Sequence, residues 1–173
     1  MNAASPVVYD LDGTLVRLPV DWGAAAADAA DALQEAGLAT EGHDLWGLLE
    51  LARESGELDT FESAVGRHEQ AAAPKSNRLA TATELKAREG PVGVCSLNCE
   101  AACRAALEHH GLTEHVDAVV GRDTVATHKP DPEPLLAVLE AMGCGPQDAE
   151  FVGDSERDEL TAKRAGVAFR WVT

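Results

Sequence analysis

Lysine is scarce in this chain. It supplies four of the fourteen basic residues, against thirty Asp and Glu, and the formal net charge is −16. So acidic a surface repels nucleic acid and anionic membranes, which excludes both as general partners. It also repels a phosphorylated ligand at long range, so a phosphate site here must carry its own local positive charge. The Ala/Asp/Glu-rich, Lys-poor balance has two readings. One is a solvated acidic surface and nothing more. The other, which the balance favours, is a halophile protein, because concentrated salt screens self-repulsion. Long hydrophobic runs are missing too: none approaches the roughly 20 residues of a membrane span. No basic stretch leads into an apolar core and cleavage site at the N-terminus, so a cytoplasmic protein is expected. Cysteine is limited to Cys95, Cys99, Cys103 and Cys144. Disulfides are not expected without a secretory signal. The spacing lacks the tight Cys-x-x-Cys pairs and histidine partners of a zinc site, which leaves buried, inert thiols.

At 173 residues the chain can bury one core, or one core and a small appendage. Val7 to Tyr9 form a short apolar run, long enough for a buried strand and too short for most helices. Three helical stretches follow, over residues 21–36, 43–55 and 58–73, closed by Gly37, Gly56 and Pro74. Residues 76–89 read as a further helix with Ser76 as its cap. From Pro91 the rhythm alternates: strands at 92–96, 116–120, 150–152 and 167–172, helices at 100–110, 132–142 and 156–165. Strands alternating with helices imply parallel pairing through right-handed crossovers. The strand at residues 7–10 must join that sheet, since alone it has no partner. The expected fold is α/β: a Rossmann-like three-layer core with a parallel sheet, residues 1–17 and 75–173, interrupted after the first strand by a small all-helical cap, residues 18–74.

Four stretches carry chemistry. In Asp10-Leu11-Asp12-Gly13-Thr14, two carboxylates one residue apart leave the end of the first strand, where open α/β sheets bind ligands. Acids held so close repel unless a cation or a shared proton relieves them, so the segment asks for a metal, acid/base chemistry, or both. In Val92 to Asn98 an apolar strand ends at Ser96 and a helix follows; Ser96 is either a plain helix cap or part of a phosphate seat at a helix start. In His128-Lys129-Pro130-Asp131-Pro132, one of the few lysines sits in a proline-stiffened loop, with Asp131 and Pro132 suited to start a helix. In Gly153-Asp154-Ser155-Glu156-Arg157-Asp158, two acids stand one helical turn apart behind another strand; Asp158 also suits the helix dipole.

The four stretches, in this order, resemble motifs one to four of the haloacid dehalogenase-like (HAD) phosphohydrolase superfamily: Asp-x-Asp-Gly-Thr, a Ser or Thr after a strand, Lys-Pro-x-Pro, and Gly-Asp-x-x-x-Asp. The helical insert resembles the type-one cap of the phosphoglycolate phosphatase-like branch. The resemblance implies a Mg²⁺-dependent phosphatase of a small phosphorylated metabolite. It implies that Asp10 attacks phosphorus and forms an aspartyl-phosphate, and that Asp12 serves as general acid and then base. Phosphate would be held by Ser96, Asn98, Gly13, Thr14 and Lys129, with Gly13 also making the turn and Thr14 orienting Asp12. Lys129 would also quiet the Asp10 carboxylate. The metal set would comprise Asp10, Asp12 through its main-chain carbonyl, Asp154 and the supporting Asp158.

Within the superfamily the dehalogenase branch lacks the second acid, so the resemblance at Asp12 implies phosphoryl transfer rather than carbon–halogen hydrolysis. Two alternatives stay open: a sugar phosphomutase of the same fold, against which the short cap argues because return transfer must exclude water, and a non-catalytic phosphate-binding or regulatory relative. Trp22, Trp46, Phe61, Arg67 and His68 of the cap, and Arg17 behind the first motif, are candidates for substrate selection. His128 carries no derived role, and the sequence leaves monomer and dimer open.

Overall fold

A computed structural model describes residues 4–173; residues 1–3 of the expected core lie outside the described residues. Strand β1 (Val7–Tyr9) is buried throughout. A strand this apolar, without alternation, has to be covered on both faces. It pairs in parallel with β4 (Val92–Cys95) on one side and β6 (Glu150–Gly153) on the other. Strands β5 (Ala118–Val120) and β7 (Ala168–Trp171) complete a five-stranded sheet in the order β5-β4-β1-β6-β7, with every pairing parallel.

Successive side chains leave opposite faces of a strand, and two cores result. Val7, Tyr9 and Val94 meet Ala82 and Leu85 of α4 (Thr81–Lys86) and Cys103, Ala106 and Leu107 of α5 (Glu100–His109). Val8 and Phe151 meet Leu135, Val138 and Leu139 of α6 (Glu133–Met142) and Ala162 and Ala165 of α7 (Glu156–Ala165). The architecture is thus a three-layer, Rossmann-like α/β fold. The chain leaves β1 toward β4 and leaves β6 toward β7, so the connections diverge between these two central strands. That divergence opens a crevice at the carboxyl ends of β1 and β6.

Between β1 and β4 stand α1 (Trp22–Glu35), α2 (Leu45–Glu54) and α3 (Leu58–Ala72). They enclose a separate core of Ala29, Leu33, Leu48, Leu49, Phe61 and Val65. Asp21 and Asp44 cap α1 and α2 by accepting from the amides of Ala24 and Gly47. Among the described residues, no helix is long and apolar enough to cross a membrane.

Residues 76–89 do not form the single helix expected. Asn77–Arg78 is a strand, β3, paired antiparallel with β2 (Val16–Arg17), and α4 starts only at Thr81. Ser76 caps nothing: its hydroxyl donates to the carbonyl of Ala73 and contacts Nε2 of His110 at 2.9 Å. The ribbon exists because the two connections to the helical unit run side by side and satisfy each other's backbone groups. Two residues are too few to leave a periodic pattern in the sequence.

Candidate active site

Asp10 directly follows β1 and is anchored there by its amide, which donates to the carbonyl of Val152 at 2.9 Å. Its carboxylate meets Lys129. The ammonium group of this lysine is 2 % exposed and uses all three donors: Asp10 Oδ1 at 3.0 Å, Asp158 Oδ1 at 2.5 Å and the carbonyl of Cys95 at 3.2 Å. A cation so desolvated keeps its charge only because two carboxylates face it, and they hold its pKa above the usual lysine range despite burial. Burial pushes the Asp10 carboxyl up, to about 8; Lys129 pulls against that rise, while Asp158 and Asp154 add to it.

Asp154, at the end of β6, is exposed. Asp10, Asp154 and Asp158 each offer a carboxylate oxygen, and these oxygens lie within 4.8 Å of one another. Asp158 is buried on the first turn of α7, fixed by the hydroxyl of Ser155 at 2.8 Å. Ser155 in turn caps the helix by accepting from the Asp158 amide. An all-oxygen group of this kind fits a hard divalent cation, with Asp154 on the exposed side and Asp10 and Asp158 buried.

Asp12 is not a member of that triad. Its Oδ1 accepts from the amide of Leu18 at 2.9 Å, a partner that sequence spacing did not suggest. Burial raises its pKa; the Leu18 amide works against this and the charge of Asp154 with it. Gly13 and Thr14 do not offer their amides to the cleft. The Gly13 amide donates to the Val16 carbonyl at 2.8 Å and the Thr14 amide to Leu11 at 3.2 Å, closing the turn on itself. The buried Thr14 hydroxyl has no partner among the described residues, Asp12 included. What Gly13 supplies is room. It has φ +86°, and a Cβ there would lie 2.0 Å from Asp154 Oδ2.

Ser96 and Asn98 are buried at the end of β4. The Ser96 hydroxyl accepts from the Asn98 amide at 3.0 Å and donates to Asn98 Oδ1 at 3.1 Å. Helix α5 starts at Glu100, so Ser96 is not its cap. Ser96, Asn98, Lys129, Asp10, Asp12, Asp154 and Asp158 line one cleft of about 790 Å³. Trp22, Leu45 and Trp46 face them from α1 and α2, and Arg157 from α7.

Of the selection candidates, only Trp22 and Trp46 reach this cleft. Phe61 is in the helical core, Arg67 bonds the carbonyl of Ser63 on its own helix, His68 pairs with Asp28, and Arg17 is exposed on β2. His128 stacks on Trp46 at 5.7 Å and bonds Arg53, while Arg157 covers the same indole at 5.0 Å. Burial, with Arg53 and Arg157 nearby, pulls the His128 pKa down. Cys95, Cys99 and Cys103 are buried and unpaired, and burial lifts the thiols of Cys95 and Cys99 to about 12. Sequence inspection misses Glu62, Glu69 and Arg122, which form an ion cluster beside Asn98 with Glu69 and Arg122 buried and Glu62 half-buried. The i, i+7 spacing of the two glutamates on a helical stretch is the one signal that could have found it.

The sequence profile of the family described as haloacid dehalogenase-like hydrolase matches residues 7–172. A phosphoglycolate phosphatase of Mesorhizobium japonicum is 32 % identical over 179 residues, covering 93 % of this chain and 79 % of that protein. A phosphoglycolate phosphatase of Rhodospirillum rubrum is 47 % identical over 89 residues, 51 % of this chain; the match spans 37 % of that protein's length. The structure of a HAD-superfamily hydrolase, subfamily IA, variant 1, from Geobacter sulfurreducens superimposes with a TM-score of 0.64 at 28 % identity, covering 96 % of this chain and 88 % of that one. By profile, by sequence and by fold, the chain belongs to the haloacid dehalogenase-like hydrolases.

Proposed function

We propose that the protein is a Mg²⁺-dependent phosphatase of a small phosphorylated metabolite, working through an aspartyl-phosphate on Asp10. The observation that carries this reading is the meeting of Asp10 with Lys129 at 3.0 Å inside an acid triad that suits a divalent cation. Mg²⁺ would be held by Asp10 and Asp154, and when bound it neutralises phosphate charge and draws the Asp10 carboxyl toward its ionised form. Lys129 supplies the protein's own positive charge at the phosphoryl group, which an acidic surface otherwise repels. The Asp10 carboxylate attacks phosphorus in line, forming the carboxyl–phosphate bond as the bond to the leaving oxygen breaks. Asp12, its carboxyl pushed up by burial and oriented by the Leu18 amide, gives a proton to that oxygen. It then takes a proton from the water that cleaves the aspartyl-phosphate. The Ser96 hydroxyl, on turning from Asn98 Oδ1 to the substrate, and the Asn98 side chain would hold equatorial oxygens, where transition-state charge spreads.

Trp22 and Asp154 at the cleft rim are exposed, which favours water as acceptor over return of the phosphoryl group to a sugar. The relatives named phosphoglycolate phosphatases make phosphoglycolate the first substrate to test. The decisive measurement is phosphate release from 4-nitrophenyl phosphate and phosphoglycolate with Mg²⁺ and with EDTA. Release that requires Mg²⁺ is expected, and Asp10→Asn is expected to remove at least about 10³-fold of it with an unchanged circular dichroism spectrum. Near-normal turnover in that variant would refute Asp10 as nucleophile. Isomerised sugar phosphate without free phosphate would mark a mutase instead.

A further inference from the structure

Arg122 is 5 % exposed and every donor of its guanidinium is used. Nε donates to Glu62 Oε1 at 3.0 Å, and one terminal nitrogen to Glu62 Oε2 at 2.6 Å and Glu69 Oε2 at 3.0 Å. The other donates to Glu69 Oε1 at 2.8 Å and to the carbonyl of Leu97 at 2.9 Å. Glu69 is wholly buried. Beyond Arg122 it accepts from Asn98 Nδ2 at 3.1 Å and from the Cys99 amide at 3.3 Å. Glu62 and Glu69 lie two turns apart on one face of α3. Between them sits Gly66, where a Cβ would be 3.5 Å from Cys99 Sγ. The helical unit, through Glu69, therefore grips Asn98 and Cys99, and Arg122 holds Leu97, in the segment that follows Ser96 in the cleft wall.

Arg122 and Glu69 are buried and Glu62 is half-buried beside them, a trio with a formal net charge of −1. Desolvating each ion costs several kcal/mol, and apolar packing of similar volume often serves stability as well or better. The gain from this cluster is directional. Glu69 takes both Asn98 Nδ2 and the Cys99 amide, which turns Asn98 Oδ1 back toward the Ser96 hydroxyl. Arg122 donates to the Leu97 carbonyl and so engages that oxygen beside the cleft. We propose that Glu69 and Arg122 are positioning residues for the phosphate end of the cleft. Through Asn98 and Leu97 they set the Ser96–Asn98 wall, and they make docking of the helical unit and assembly of the phosphate seat one event. The inference rests on the phosphatase reading in taking Ser96 and Asn98 as phosphate contacts.

The test measures the Kd of inorganic phosphate by calorimetry with Mg²⁺ present, alongside KM and kcat for 4-nitrophenyl phosphate. Glu69→Gln, Asn98→Ala and their double variant form a cycle. Glu62→Gln is the structural control, since Glu62 touches Arg122 but no residue of the cleft wall. Glu69→Gln is expected to weaken phosphate binding and raise KM about tenfold, the worth of one or two oriented hydrogen bonds. It should add little on the Asn98→Ala background, as groups acting as one unit do. Glu62→Gln is expected to lower Tm while moving Kd less than about twofold, the span of a near-neutral contact. Should Glu69→Gln not fold, Arg122→Lys keeps the buried charge, gives up the Leu97 bond, and carries the same expectation. Independent, multiplying effects of Glu69 and Asn98, or equal shifts in Kd from Glu62→Gln and Glu69→Gln, would overturn the proposal. Failure of the phosphatase reading is separate, because it appears as a wild-type protein that binds phosphate and releases none.

Discussion

Asp10 and Asp12 differ by one position, yet the fold gives them different surroundings. Asp10 faces an ammonium group and two further acids. Asp12 faces a single backbone amide at the start of the helical unit. Burial raises the Asp12 carboxyl above the ordinary range, so it keeps its proton at higher pH than a solvated aspartate. A general acid must be protonated, and activity is expected to fall as pH rises through that raised value. Asp12→Asn should remove this alkaline limb from the profile of kcat/KM. It should also slow hydrolysis of alkyl phosphates about 10²- to 10⁴-fold. Formation of the intermediate from 4-nitrophenyl phosphate, whose leaving group needs no proton, should suffer far less. Equal losses on both substrate types, read as a pre-steady-state burst for the aryl ester, would remove Asp12 from the acid role. The chemical type of these residues was legible in sequence, because acids at a strand end with glycine behind them are a local pattern. The Leu18 amide was not legible, since a backbone donor leaves no mark on residue type.

At the scale of elements, the sheet was more legible than its edges. The alternation of apolar runs and helical stretches after Pro91 announces a parallel sheet, and β4, β5, β6 and β7 stand where it points. The β2–β3 ribbon was invisible, as was the late start of α4, since neither segment is long enough to show a period. One packing contact at this scale invites a test. Gly93 lies in the middle of β4, where a Cβ would come within 2.2 Å of Val138 Cγ1 and 3.1 Å of Met142 Sδ. The missing side chain is what lets α6 lie against β4. Gly93→Ala is expected to push the helix off the sheet and cost about 1–3 kcal/mol. Thermal unfolding would read this as a drop of several degrees. An unchanged Tm would mean that α6 yields without penalty.

Over the whole molecule, charge dominates. A net charge of −16 on 173 residues opposes compaction, and salt relieves it, with the Debye length falling from about 10 Å at 0.1 M to about 3 Å at 1 M. Melting in increasing KCl should show Tm rising by several degrees over that range, on the order of 2–4 °C for each kcal/mol gained. A flat or falling Tm would reject the high-salt reading of the composition. The buried pairs of Lys129 and Arg122 are shielded from such ions, so salt should act on the surface and leave the cleft intact. What this sequence determined by itself was the chemistry of each strand end and the alternation that builds a parallel sheet. Both are written within single segments, in residue type and period. The resemblance already set Lys129 against Asp10; tertiary structure alone decided that Lys129 also meets Asp158, that Gly13 yields its side-chain space to Asp154, and that Glu69 reaches Asn98. Those partners lie far apart in the chain, and only the order in which strands pack beside one another brings their ends together.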